Sequence, residues 1–156
     1  MTEHKPEITL DDLVPISVWR IASTPHGGEK SVVILREDHG EGLLPIAVGF
    51  CEAAAIEKLI EARATGRLSL RPLTHELVNV VIERLSGNVE RGVITRLEHE
   101  TFFARLVLRR DDAEWSLDAR PSDVISVALA GGVPLYAARD LIEQVSGCLL
   151  YTSPSP

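Results

Sequence analysis

The distribution of apolar positions divides the chain into two similar runs. PISVWRI (15–21) and SVVILRE (31–37) are β-rich, and STPHGGE between them carries Pro25, Gly27 and Gly28, a turn composition. Asp38, Gly40 and Gly42 mark the next turn. LLPIAVG (43–49) reads as a short strand buried on both faces, with Pro45 near its start, where a missing N–H does least harm. The period then changes. In CEAAAIEKLIEARATG, Ile56, Leu59, Ile60 and Ala64 follow helical spacing and Gly66 supplies a stop. In THELVNVVIERLSG, Leu77, Val78, Val81, Ile82 and Leu85 predict a buried helical stripe, with Thr74 as its cap and Gly87 as its end.

The second half repeats this order. ERGVITRL (90–97) and TFFARLVLRR (101–110) predict a hairpin around Glu98-His99-Glu100, with Phe102, Ala104, Leu106 and Leu108 on one face. Asp111-Asp112 turns the chain into EWSLDA, and a helix starting near Pro121 carries Val124, Ile125, Val127, Ala128 and Leu129 up to Gly131-Gly132. PLYAARDLIEQV adds a short strand and a last helix. The expected fold is α+β: a mixed or antiparallel sheet with helices, built on an internally duplicated strand-strand-strand-helix unit. Residues 1–12 read as an acidic arm, 13–146 as one domain, and 147–156 as an unstructured tail. The last nine residues, CLLYTSPSP, lack periodicity and resemble translated adapter sequence, so the natural chain is expected to diverge near Gly147.

Composition narrows the setting. With 45% hydrophobic and 25% charged residues, the 156-residue chain has the make-up of a soluble globular domain. It has no apolar run long enough for a membrane span, and MTEHKPEITLDDL contains no secretory h-region, so a cytoplasmic protein without membrane partners is expected. Cys51 and Cys148 share no metal-like spacing and suit a reducing compartment, with Cys51 expected as a small buried residue. The net charge of -7 argues against avid, sequence-independent binding to nucleic acid. Only three of the 16 basic residues are lysines, and arginine suits bidentate contacts to carboxylate or phosphate, which leaves a local anion site open.

No P-loop, GxGxxG, HExxH, CxxC or GxSxG motif is present. Three polar clusters stand at element junctions instead. Gly49-Phe50-Cys51-Glu52 places a carboxylate in a helix first turn, where the dipole favours it even with no chemistry to perform. Arg71-Pro72-Leu73-Thr74-His75-Glu76 adds a histidine able to carry a proton near neutral pH, or simply a half-packed one. In Asp118-Ala119-Arg120-Pro121-Ser122-Asp123, Pro121, Ser122 and Asp123 suit a helix start. Asp118 and Arg120 remain, on the same side of a strand end. They read either as a structural ion pair or as part of a site with Asp123 for a divalent cation and a phosphate.

GLLPIAVGFCEAAAIEKLI, RPLTHELV, TFFARLVL and LDARPSDVISVALAGGVPLYA together resemble, in order and spacing, the bifunctional nuclease (DNase/RNase) domain family over about residues 15–145. The resemblance implies an internally duplicated α+β fold, self-association into a homo-oligomer, and nucleic acid as partner. The family's motif positions fall on Glu52, Thr74, His75, Glu76, Asp118, Arg120, Ser122 and Asp123. Glu76 stands where the family usually shows Asp. The nuclease reading assigns catalysis to His75, Glu76, Asp118, Arg120 and Asp123. Substrate contacts go to Arg71, Thr74 and Ser122, and a divalent cation (Mg²⁺ or Mn²⁺) to Glu52, Asp118 and Asp123. The alternative is a non-enzymatic regulatory module that binds a small anion or a partner protein.

Overall fold

The computed structural model describes residues 8–23, 28, 30–67 and 70–151. After a short 3-10 turn (Leu10–Asp12), strands β1 (Leu13–Ser23), β2 (Lys30–Glu37) and β3 (Leu43–Gly49) lead into helices α1 (Phe50–Thr65) and α2 (Thr74–Arg84). Strands β4 (Asn88–Glu98), β5 (Thr101–Arg110) and β6 (Ala113–Ala119) lead into α3 (Pro121–Gly131), followed by β7 (Leu135–Ala138) and α4 (Arg139–Tyr151). The strands form one seven-stranded mixed sheet in the order β3-β2-β1-β7-β4-β5-β6. Each half is thus an antiparallel three-strand meander running directly into a helix. Strand β7 lies between the halves, antiparallel to β1 and parallel to β4. This is the mixed sheet with helices that the periodicity predicts.

Strand alternation decides which face meets the helices. Val33, Leu35, Leu44, Ile46, Ile94, Ala104 and Leu106 share one core with Ala53 and Ile56 of α1, Val124–Ala128 of α3 and Leu141, Ile142 and Val145 of α4. The second cluster, Leu13, Val93 and Val107 packed by Tyr136, contains strand residues alone. Helices therefore cover one face. As an edge strand, β3 alternates buried and partly exposed positions, with Ala47 exposed. The expectation of burial on both faces is corrected accordingly.

Hairpin β4–β5 turns on His99 (φ 48°) and Glu100 (φ 63°), two non-glycine residues in the left-handed region. Helices α1 and α3 end on Gly66 (φ 64°) and Gly132 (φ 67°), as glycine's freedom at positive φ allows. Helix α2 differs from its expected end. Ser86, not Gly87, takes the left-handed conformation (φ 64°), and the Gly87 amide donates to the Ile82 carbonyl at 3.0 Å.

Three further expectations are corrected. No residue of α2 is buried: Leu77, Val78, Val81 and Leu85 are exposed, because α2 packs on the flank of α3 and has no second layer over it. Cys51 is exposed and unpaired. Helix α4 continues through residues 147–151, within the stretch expected to be unstructured. Residues 1–7, 152–156 and the Pro25–Gly27 turn lie outside the described residues. Among those described, no helix is long and apolar enough to cross a membrane.

Candidate functional site

Three helices begin at the same end of the molecule. The first turn of α1 meets the start of α3 through Glu52 and Arg120, and its other end meets the end of α3, where Arg63 Nη1 donates to the Leu129 carbonyl at 2.9 Å. His75 of α2 faces Asp123, and one turn on, Asn79 Nδ2 donates to the Val127 carbonyl at 3.1 Å. Both α1 and α2 therefore run parallel to α3. Parallel packing gathers three N-terminal dipole ends, which disfavour one another and favour anions. Each helix carries a carboxylate in its first turn to offset this: Glu52, Glu76 and Asp123.

These carboxylates serve different ends. Glu76 Oε2 accepts the Leu73 amide at 2.6 Å. Leucine offers no acceptor in return, so only half of a capping box forms. The i, i+3 spacing from Leu73 to Glu76 makes Leu73 the N-cap and Thr74 the first helical residue, so the cap falls one position before the predicted Thr74. Glu76 is thereby committed to the helix end and joins no other functional side chain.

Asp123 is the hub. It accepts Arg120 Nε at Oδ2 (2.7 Å), Arg120 Nη2 at Oδ1 (3.2 Å), and the His75 imidazole, whose Nε2 lies 3.3 Å from Oδ1. Arg120 Nη1 reaches on to Glu52 Oε1 at 3.5 Å. A polar chain Glu52–Arg120–Asp123–His75 thus links all three helix starts. Gly49, the α1 N-cap, leaves the room in which the Glu52 carboxylate sits, since a Cβ there would run into it. Burial pushes the Asp123 carboxyl upward, but the hydrogen bonds from Arg120 and His75 outweigh it and hold the group below its ordinary value. Arg120 is raised in turn, first by its hydrogen bond to Asp123. Its side chain is 67% exposed, against 21% for His75, so the guanidinium is open to solvent and the imidazole more enclosed.

The other expected site residues lie elsewhere. Strand β6 ends at Ala119, and Arg120 turns away as the α3 N-cap (φ −65°, ψ 144°). The alternation that would have put Asp118 beside Arg120 stops there. In the β5–β6 register Leu117 pairs with Leu106 on the helix-covered face, and Asp118 pairs with Arg105 on the other. Arg105 itself donates to the Ser116 hydroxyl and carbonyl at 2.6 and 2.8 Å. Asp118 is exposed and joins neither Arg120 nor Asp123, so the expected trio of Glu52, Asp118 and Asp123 does not assemble. Among the described residues no three His, Cys, Asp or Glu side chains come together as a metal-holding group. Ser122 is buried at 7% exposure, and Arg71 is exposed outside the polar chain.

A cleft of about 370 Å³ separates α1 from the start of α2. Phe50, Ala54 and Leu59 wall it from α1 and Leu73 from α2, while Lys58, Thr74 and His75 are polar groups along it. His75 thus joins the cleft to the Asp123 hub. Two contributors went unnoticed at the level of sequence: Lys58, and Asn79, which also donates to the His75 carbonyl at 3.1 Å. A lone asparagine inside the apolar stripe Val78–Val81 was the available signal.

The family model described as bifunctional nuclease domain matches residues 33–148, a span containing α1, α2 and α3 entire. The chain belongs to the bifunctional nuclease domain family. It is 37% identical over 113 residues to an uncharacterized protein of Mycobacterium tuberculosis, covering 72% of this chain and 65% of that one. It is 32% identical over 136 residues to bifunctional nuclease 1 of rice (Oryza sativa subsp. indica), and 30% identical over 131 residues to bifunctional nuclease 2 of Arabidopsis thaliana. These matches take in 85% and 78% of this chain but 39% of each plant protein. In this bifunctional nuclease domain the hub therefore lies wholly within the matched region.

Proposed function

We propose that the chain hydrolyses phosphodiester bonds of DNA or RNA at the His75–Asp123–Arg120 site. The observation that carries this is the 3.3 Å contact between His75 Nε2 and Asp123, with the same histidine lining an open cleft. Asp123 accepts Nε2–H and so fixes the tautomer in which Nδ1 is the base. Nδ1 takes a proton from water as its oxygen attacks phosphorus. The same proton passes to the leaving oxygen as the P–O ester bond breaks. Arg120 steadies the charge on the phosphoryl oxygens, helped by the gathered helix N-termini. Asp123 acts through His75 and is a positioning residue.

A divalent cation fits this arrangement poorly. The Glu52 and Asp123 carboxylates both face the Arg120 guanidinium, which already balances charge where an ion would sit. Self-association belongs to the same reading, with the exposed Leu77, Val81 and Leu85 of α2 as the surface it would use. The exposed, unpaired Cys51 fits a reducing, cytoplasmic setting.

The test is cleavage of labelled DNA and RNA by nuclease-free protein with Mg²⁺, Mn²⁺ or EDTA. His75→Ala is expected to lower the rate about 10²- to 10⁴-fold, the usual contribution of a positioned acid–base group. Equal and merely residual cleavage by wild type and variant would end the reading and leave the non-enzymatic module in its place, whereas full cleavage by the variant would remove His75 from the catalytic role.

A further inference from the structure

We infer that the cleft between α1 and α2 is a subsite for one unpaired nucleobase, with the Phe50 ring as its stacking platform and Lys58 at a neighbouring backbone phosphate. The inference rests on the phosphodiester reading of His75, and it names the form of substrate: single-stranded nucleic acid.

Four observations support it. Phe50 stands at the first position of α1 with 63% of its surface exposed, although it could have been buried in a core that α1 already reaches through Ala53 and Ile56. Exposed aromatic rings beside cations are how proteins hold splayed bases. The cleft's 370 Å³ falls in the range of about 300 to 1,000 Å³ typical of small-ligand sites, enough for a nucleotide unit and too small for a duplex. His75 lines the same cleft, so a base held there brings its own phosphate toward the imidazole and Arg120.

The fourth observation concerns charge. Arg91 and Arg109 are paired with Glu90 and Glu114, Arg96 with Glu98, and Arg63 with the Leu129 carbonyl. On a chain of net charge -7, these pairings engage four of the thirteen arginines and leave no excess of positive charge overall for a broad phosphate-binding track. Affinity has to come from stacking and a few local cations, which favours a flexible strand with accessible bases over a duplex, whose bases stay paired unless flipped.

The experiment is fluorescence polarisation of the full chain in EDTA with labelled oligonucleotides: single-stranded, the same sequence as a duplex, and the single strand with abasic sites. The single strand is expected to bind more tightly than the other two. With Lys58 and Arg120 as the two phosphate contacts, the slope of log K against log salt should be about −1.4. Phe50→Ala should weaken single-strand binding about 5- to 150-fold, the range spanned by loss of one stacked base, and Phe50→Trp should restore it. Bound single strand should also slow alkylation of Cys51, which lines the cleft, as read by peptide mass spectrometry. No binding by wild type, equal binding by Phe50→Ala, or unchanged alkylation of Cys51 would overturn the subsite. The two readings separate cleanly. Cleavage lost in His75→Ala with Phe50→Ala binding normally removes the subsite alone, whereas cleavage surviving in His75→Ala with weakened Phe50→Ala binding removes the catalytic assignment alone.

Discussion

Helices α2 and α3 start alike and end in opposite surroundings. Each has an Arg-Pro pair at or just before its start, carries an acid in its first turn, and supplies one partner of the His75–Asp123 contact. Yet α3 buries Ser122 and every residue from Val124 to Ala128, whereas α2 buries none. The difference lies in the sequence between the caps. VISVALA is apolar or small on all sides, and such a helix has to be enclosed. ELVNVVIER mixes a wide apolar stripe with charge and finds only the flank of α3 and the adjoining β4 to lie on, with Ile82 its one contact to the main core. Asp123 is therefore held by packing. His75 is held by polar clamps, chiefly Asn79, which ties α2 to itself and to Val127.

Substitutions can break or sharpen this contrast. The largest effect is expected in α3: Ile125 is fully buried, and Ile125→Ala should cost about 2–5 kcal/mol of stability in urea unfolding. Next comes the clamp. Asn79→Ala removes the donor to two carbonyls and should cost about 1–3 kcal/mol, with a further loss of cleavage because His75 is no longer held. Gly131→Ala would set a methyl 2.6 Å from Asn79 Oδ1 and should loosen the same contact more mildly. If the cleavage rate of Asn79→Ala matched wild type while stability fell, the clamp would be structural only.

The pH dependence follows from the hub. The Asp123 carboxyl lies below its ordinary value of 3.8 in the folded chain, so folding favours its ionised form. The stability this contributes is complete above that ordinary value and disappears as pH falls through the depressed one. Asp123→Asn should therefore be less stable than wild type at neutral pH, with the gap narrowing as pH drops below 3.8. Glu90, lowered chiefly by its hydrogen bond from Arg109, keeps its own share of the acid transition in both proteins. A gap that stayed constant with pH would show that Asp123 is not held ionised. The smallest effect is predicted on the outer face of α2. In the dissociated monomer Val81→Ala should change stability by no more than about 0.5 kcal/mol, and a loss that grows with protein concentration would mark the self-association proposed for this face.

Much of the fold was legible because it rests on local rules. Period-2 alternation marked the strands, helical spacing marked α1 and α3, and Gly66 and Gly132 marked helix ends. The errors arose where a neighbour decides. Whether the α2 stripe is buried depends on what lies over it, and whether β3 is covered on both faces depends on its place at the sheet edge. The site was half legible. Glu52, His75, Arg120 and Asp123 were identified as candidates and the structure joins them, through the parallel packing of three helices that no single segment encodes. Asp118 was drawn in by strand alternation, which fails where the strand gives way to a helix cap. Lys58 and Asn79 went unseen because their roles come from contacts across the helix layer.

The most direct measurement is a double-mutant cycle on the cleavage rate, comparing His75→Ala, Asp123→Ala and the two combined. If Asp123 acts by holding the imidazole, the double variant should be no slower than His75→Ala alone. Losses that multiply, as for two independent groups, would contradict the account.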